Sequence, residues 1–144
     1  GHATIYVHEA ELTRIHNPHP LDFRYLEDHI LDVEENGQIQ TVTGDTEILP
    51  GIELLHTPAH TPGGLSVAIA TPMGKAVITG FCTIDHNFYP PKEIKAMEME
   101  VIPPGTHVNA YEAYDILMKV KELADILIPL HAPRFAALDT IGTD

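Results

Sequence analysis

The hydrophobic positions of the chain recur with two spacings, which predict strands in its middle and helices before and after them. Short apolar, β-branched runs are typical of buried strands, and they occur at 3–7, 39–42, 47–49, 52–56, 65–70, 75–79 and 124–130. Apolar residues at helical spacing predict helices at 8–15, 21–33 and 109–124, with a shorter one at 92–99. This order favours an α+β or layered α/β arrangement in which helices cover the faces of a sheet.

Turn and capping residues separate these elements. The segment 71–74, Thr-Pro-Met-Gly, lies between two apolar runs and predicts a hairpin. Two prolines at 18 and 20 fix the backbone and remove two N–H donors, which breaks the helical pattern there. Asn109 is the predicted N-cap of the longest helix. Because the sequence contains no repeat, low-complexity tract or long linker, we expect a single domain over residues 1–144.

The composition of the chain argues against several classes of binding partner. The chain has 144 residues, with 8 Lys and Arg against 21 Asp and Glu, and its formal charge of −13 argues against nucleic acid and against a polybasic membrane helix. No apolar run approaches the roughly 18 residues that a membrane span requires. The sequence has no signal-peptide pattern, and its single cysteine cannot form an internal disulfide, so we expect a cytoplasmic location. Ten histidines outnumber the basic residues, and this is the compositional hint of function.

Three strand exits carry candidate metal ligands. His60 lies in a loop stiffened by two prolines and followed by two glycines, Cys82 and Asp85 follow the predicted hairpin, and His131 follows the last predicted strand. Functional residues commonly lie on loops that a rigid scaffold positions. Imidazole, thiolate and carboxylate together suit zinc or another first-row ion. The separations along the chain are too long for a local zinc-finger motif, and we expect His16, His19, His56 and His107 to make local or solvent contacts instead.

Three segments resemble successive motifs of the metallo-β-lactamase-fold hydrolases. They are T-P-A-H-T-P-G-G at 57–64, T-G-F-C-T-I-D at 79–85 and A-D-I-L-I-P-L-H at 124–131. The resemblance is nearest to the lactonase-like branch that includes acyl-homoserine lactonases. It implies an α/β fold, a mixed sheet with covering helices that forms half of the αββα sandwich of that family. The family's His-x-His-x-Asp-His motif does not occur in the chain, so the resemblance is to the C-terminal half of such a domain.

The resemblance implies a role for each candidate. His60 matches the third histidine ligand of the first metal, and His131 matches the last histidine, a ligand of the second metal. The family usually has a Gly-Asp pair whose carboxylate bridges both metals, but this sequence has Gly80 followed by Phe81. Cys82 is the preferred substitute, because the β-lactam-degrading members place a cysteine ligand there. Asp85 is the alternative if the loop is shifted by three residues.

The implied activity is metal-dependent hydrolysis of a lactone or ester, with Zn²⁺ or another divalent ion such as Fe, Mn or Co. Two metals would activate a water and polarise the substrate oxygen, and the negative net charge favours a neutral small-molecule substrate. Two alternatives come from other functional classes. The chain could be a non-catalytic metal-binding module, or an assembly half-domain that pairs with itself as a homo-oligomer or with an N-terminal half, because half of a sandwich leaves a sheet face exposed.

Overall fold

The structure, a computed structural model, describes residues 3–23, 25–26 and 28–141. The strands of this part are β1 (Ile5–His8), β2 (Ile39–Val42), β3 (Thr46–Leu49), β4 (Ile52–His56), β5 (Leu65–Thr71), β6 (Gly74–Ile78) and β7 (Ile126–Ile128). The helices are α1 (Glu9–His16), α2 (Asp28–Glu35), α3 (Asp85–Phe88), α4 (Lys92–Lys95) and α5 (Ala110–Leu123), and a 3₁₀ helix follows at Pro133–Ala137. All seven predicted strands and the predicted hairpin are confirmed.

The direction of the strands brings three chain segments to one edge of the main sheet. Strands β3-β4-β5-β6-β7 form this five-stranded sheet, in which β5 is antiparallel to both β4 and β6, and β7 is parallel to β6. Strands β4, β6 and β7 therefore run in the same direction and end at the same edge. Strands β1 and β2 form a separate parallel pair.

One face of the main sheet holds the hydrophobic core. Alternate side chains of β4 to β7 supply Leu55, Ala68, Val77 and Leu127, and α5 packs three buried residues into the same cluster. The large, fully buried side chains Phe81, Phe88 and Val101 complete the cluster. The side chain of Asn109 accepts hydrogen bonds from the first backbone N–H groups of α5, so its predicted capping role is confirmed.

The opposite face of the main sheet is apolar but incompletely covered. Its two cross-strand rows are Ile52-Ile69-Ala76-Ile126 and Leu54-Val67-Ile78-Ile128. Only Leu54 and Ala76 of these eight residues are buried, and the other six are half-buried. By the same alternation, His56 belongs to this face, and its ring stacks on that of His8 with the centroids 3.8 Å apart. The β1–β2 pair therefore contacts this face at the end where His56 lies.

The predicted helix at 21–33 is wrong in its first half. Residues 21–23 form turns, positions 24 and 27 lie outside the described residues, and α2 begins at Asp28. The Asp22 carboxylate accepts a hydrogen bond from the His19 backbone N–H at 3.0 Å and forms an ion pair with Arg14. These contacts of Asp22 with the preceding part of the chain replace helical hydrogen bonds. The spacing of apolar residues does not reveal such polar contacts. The shorter helix predicted at 92–99 ends at Lys95, and Glu98 has the left-handed φ of 61° that no helix contains.

His8 links the small sheet to the main one. Protonation of its ring would remove the nitrogen acceptor that a backbone N–H group uses. Its Nδ1 faces the Ala10 backbone N–H and its Nε2 faces the Gly44 backbone N–H, each at 3.1 Å. A neutral imidazole has one acceptor nitrogen and satisfies one of these donors, whereas a protonated ring satisfies neither. Burial, and next the neighbouring His56, lower the pKa of His8 below 6.5, against opposing effects of Glu9 and Glu11.

We expect neutral His8 to make the stability of the fold depend on pH. Because its pKa is lower in the folded than in the unfolded state, its contribution is complete above pH 6.5 and is lost as the pH falls toward the folded-state value. The variant His8→Asn keeps a good helix cap but does not titrate. It should cost about 1–2 kcal/mol at neutral pH and less at about pH 5, as measured by urea unfolding. A difference that stays constant with pH would contradict this role.

Candidate functional site

The loop that carries His60 is closed by backbone and ring contacts. Residues 57–64 leave β4 and return to β5, and Thr57 donates its backbone N–H to the Gly64 carbonyl oxygen at 2.8 Å. The Nε2 atom of His56 lies 2.9 Å from the Pro62 carbonyl oxygen, so the expected local role of His56 is confirmed. His60 stands exposed at the tip of this loop, where its imidazole is accessible.

Asp45 supports the start of the same loop from outside. One of its carboxylate oxygens accepts the His56 backbone N–H at 2.7 Å, and the other accepts from the Lys119 ammonium at 2.8 Å. Burial raises the pKa of Asp45, but the hydrogen bonds from Lys119 and His56 outweigh burial and leave the pKa below its ordinary value. The carboxylate therefore stays ionised and ties the end of β4 to α5.

Ser66, the only serine of the chain, joins the β4 exit to the β6 exit. Its buried hydroxyl lies 2.9 Å from the Thr57 hydroxyl and accepts the Gly80 backbone N–H at 3.0 Å. A side chain at position 80 would collide with this arrangement, because a Cβ there would lie 1.6 Å from the Leu65 carbonyl oxygen. The spacing between the loops of His60 and Cys82 is thus set by a hydroxyl and a glycine.

A second pair of buried hydroxyls joins the β6 exit to the β7 exit. The hydroxyls of Thr79 and Thr83 lie 2.7 Å apart, and Thr79 also accepts the Leu130 backbone N–H at 2.9 Å. The Thr83 carbonyl oxygen accepts the His131 backbone N–H, also at 2.9 Å. The backbone of His131 therefore lies beside the segment that follows Cys82. None of these hydroxyls is among the residues predicted from the sequence, although a lone hydroxyl within each apolar run was the available signal.

The two candidates for the missing acidic ligand have different surroundings. Cys82 is a half-buried free thiol between the buried residues Phe81 and Thr83. Asp85 begins α3, and its carboxylate accepts from the Arg134 guanidinium at 2.9 Å. The position next to Gly80, where the resemblance implies an aspartate, is filled by Phe81, which is 1% exposed and part of the core.

The structure brings the candidate loops to one sheet edge without assembling a complete metal site. Within residues 3–141, and with the gaps given above, no three His, Cys, Asp or Glu side chains are arranged to hold a metal ion. The donors themselves are chemically suitable, because imidazole and thiolate are standard zinc ligands. The roles of His60, Cys82, Asp85 and His131 stay predictions. In the same described part, no helix is long and apolar enough to cross a membrane.

Two open cavities flank the His60 loop. One, of about 390 Å³, is lined by His60 and Thr61 together with Glu11 and Tyr25, and the exposed side chains of Leu21 and Phe23 form its rim. The other, of about 320 Å³, lies between β1 and the glycines of the loops and includes His8 and Gly80. Glu11 and His60 line both. The exposed imidazole thus stands between two spaces large enough for a small molecule.

Comparison with solved structures identifies the fold. A mutant of AiiA from Bacillus thuringiensis, with N-decanoyl-L-homoserine bound at its active site, superposes with a TM-score of 0.68 at 22% identity, covering 92% of this chain and 48% of that one. The hydrolase AbOPH of the β-lactamase superfamily superposes with a TM-score of 0.61 at 18% identity, covering 91% of this chain and 48% of that one. The chain has the metallo-β-lactamase fold. It spans about half the length of these structures, so the predicted α/β half-sandwich is confirmed.

Sequence comparison supports the lactonase-like branch of the metallo-β-lactamase fold. An N-acyl homoserine lactonase from a Bacillus species is 41% identical over 64 residues, which is 44% of this chain and 23% of that protein. A lactonase from Bacillus cereus is 38% identical over 64 residues, with the same shares of the two chains. No family model matches the chain. The predicted resemblance to this branch is therefore confirmed over part of the chain, and its being the C-terminal half stays a prediction.

We expect the Ser66 hydroxyl to stabilise the edge of the main sheet at which β4 and β6 end. The variant Ser66→Ala leaves the Gly80 N–H and the buried Thr57 hydroxyl without this partner, which should cost about 1–3 kcal/mol in the free energy of unfolding. Thr41→Ala, which removes an exposed hydroxyl on β2, is the control and should change it by no more than about 0.5 kcal/mol. Urea denaturation measures both. Equal costs for the two variants would show that the Ser66 hydroxyl contributes nothing beyond an exposed one.

Proposed function

We propose that this chain is part of a metal-dependent hydrolase that opens lactones or cleaves esters. The observation that carries the proposal is the convergence of the β4, β6 and β7 exits, with His60, Cys82 and His131, at one edge of a metallo-β-lactamase fold. The curated relatives named N-acyl homoserine lactonases favour a small neutral lactone as substrate. The formal charge of −13 agrees with a neutral substrate rather than a polyanion.

His60, His131 and Cys82 would hold a divalent metal, with further ligands from outside the described residues. A metal held there would supply an activated water and polarise the carbonyl oxygen of the substrate. We favour Cys82 over Asp85 because the Asp85 carboxylate already accepts a charge-assisted hydrogen bond from Arg134, which a metal would have to displace. Imidazole and thiolate ligands suit Zn²⁺ best, with Fe, Mn or Co as alternatives.

The protein's own residues would hold this site in place before any ligand binds. The hydroxyls of Ser66 and Thr79 fix the three loops, and the glycine at 80 lets two of them approach closely. Preset geometry of this kind is what a metal site requires of its scaffold. The cavity beside His60 would admit the substrate, with the exposed side chains of Leu21 and Phe23 at its rim.

A second candidate function is assembly, and the apolar second face of the main sheet favours it. Six of the eight residues in its two cross-strand rows are only half-buried, and a contiguous apolar face of this kind marks an interaction surface. The two-stranded parallel sheet β1–β2 is also unusual, because parallel sheets are normally larger and covered on both faces. We propose that an N-terminal half of the sandwich covers this face, with a second copy of the chain as the alternative partner.

Binding of Co²⁺, as a spectroscopic substitute for Zn²⁺, should separate the ligand candidates. Cys82→Ser should abolish the thiolate-to-metal absorption band and weaken binding at least about tenfold, and His60→Ala should weaken binding similarly. Asp85→Asn, which keeps an acceptor for Arg134, is the matched control and should leave the band intact. Loss of binding in Asp85→Asn with the Cys82→Ser variant unaffected would establish the Asp85 alternative. Binding that is absent, or unchanged in every variant, would overturn the metal site.

Complementation should test the activity. We expect the chain, mixed or co-expressed with the N-terminal half of an N-acyl homoserine lactonase, to form a stable complex and to open acyl-homoserine lactones, as followed with a pH indicator. The His60→Ala variant should form the same complex but lose at least about 100-fold in rate. Light scattering distinguishes this complex from a homodimer. A complex that binds metal and hydrolyses neither lactones nor aryl esters would favour the non-catalytic module instead.

A further inference from the structure

We propose that Glu11 of α1 is a positioning residue that fixes the His60 loop through Tyr25 and Gly63. The inference rests on the proposed function only in giving His60 a role as ligand. Its structural part, that one carboxylate holds the loop against α1, stands on contacts of the described residues alone.

The Glu11 carboxylate connects two segments that are distant in the chain. One of its oxygens accepts a hydrogen bond from the Tyr25 hydroxyl, and the other accepts the Gly63 backbone N–H at 3.0 Å. Glu11 and Gly63 are separated by 52 positions. Hydrogen bonds to an ionised carboxylate are roughly twice as strong as neutral ones. Both oxygens are thus engaged in holding the loop and the segment after the proline turn to the same helix.

Close packing makes the contact specific. A Cβ on Gly63 would lie 2.3 Å from both the backbone nitrogen and the Cβ of Glu11, far inside any normal contact. The loop therefore approaches the backbone of α1 at a distance that only glycine permits. Its position relative to the helix is set at this point, three residues after His60.

Tyr25 supplies the second point of attachment. Burial and then the hydrogen bond to Glu11 raise the pKa of its hydroxyl, and a hydrogen bond with Thr61 acts in the opposite direction. The phenol consequently stays protonated and remains a donor to Glu11 at neutral pH. Through these contacts the Glu11–Tyr25 pair reaches the loop at Thr61 and at Gly63, on both sides of Pro62 and directly after His60.

The remaining supports of the loop come from the main sheet and from the segment before α5, where Val108 donates its backbone N–H to the Ala59 carbonyl oxygen at 3.1 Å. Thr57 and Ser66 close the base of the loop and the His56 ring contacts Pro62, whereas Glu11 lies on α1 and Tyr25 donates its hydroxyl to Glu11. Loss of the Glu11 carboxylate should therefore leave the base closed and remove the contact that holds the tip to α1. Since His60 is at the tip, its imidazole should become mobile while the fold persists.

The experiment compares Glu11→Ala and Glu11→Gln with Glu9→Ala, which removes the same charge from an exposed position in the first turn of α1. Hydrogen exchange of the Gly63 amide and the ring resonances of His60 report on the loop, and Co²⁺ titration reports on the metal. In Glu11→Ala we expect Gly63 exchange to accelerate at least about tenfold, the His60 resonances to shift and Co²⁺ affinity to fall about tenfold. Glu11→Gln should retain part of each effect, and Glu9→Ala should match the unsubstituted chain.

Unchanged Gly63 exchange and His60 resonances in a folded Glu11→Ala variant would overturn the proposal. So would altered exchange with unaltered Co²⁺ affinity, because Glu11 would then hold the loop without positioning a ligand. If the unsubstituted chain binds no Co²⁺ but Gly63 and His60 respond as expected, the loop attachment is supported and the metal role of His60 fails. Should Glu11→Ala not fold, Tyr25→Phe removes only the hydroxyl, and unchanged loop signals in that variant would also contradict the proposal.

Discussion

The buried hydroxyl groups of Thr57, Ser66, Thr79 and Thr83 are the constraint on which the arrangement of this sheet edge depends. All four residues are fully buried, and each hydroxyl finds a partner within the loops that leave β4, β6 and β7. A buried polar group without a partner costs more than its hydrogen bond contributes. The three loops therefore cannot shift independently, because moving any one of them would leave buried donors without acceptors.

The main sheet separates the hydrophobic core from the edge that carries the candidate ligands. One face of the sheet packs against α5 and carries most of the buried apolar side chains, whereas the other offers two apolar rows with only partial cover. His8 and His56 join the small sheet to the second face near the site edge. The candidate ligands therefore lie between two layers. The layer of α5 covers its face of the main sheet, whereas the layer of β1 and β2 could be extended by further strands.

Sequence pattern was sufficient for the strands, the hairpin and α5, because alternation, turn residues and an Asn cap are local signals. It failed at 21–33, where the ion pair of Asp22 with Arg14 overrides helical spacing. It ranked Cys82 above Asp85 by resemblance alone and gave no sign of the Asp85 contact with Arg134, which lies 49 positions away. The sequence correctly placed the candidate loops at strand exits. The hydrogen bonds of the buried hydroxyls that join these loops span up to 51 positions, and a lone hydroxyl within an apolar run does not identify its partner.

Phe81 limits which side chains the position after Gly80 can carry. Its side chain is 1% exposed and packs in the hydrophobic cluster to which α5 contributes three residues. Removing a buried aromatic ring costs about 3–5 kcal/mol, and an unpaired carboxylate in its place would add a further desolvation cost. An acidic side chain at position 81 would therefore destabilise the fold, so a metal ligand from this loop would have to come from a residue outside the hydrophobic core.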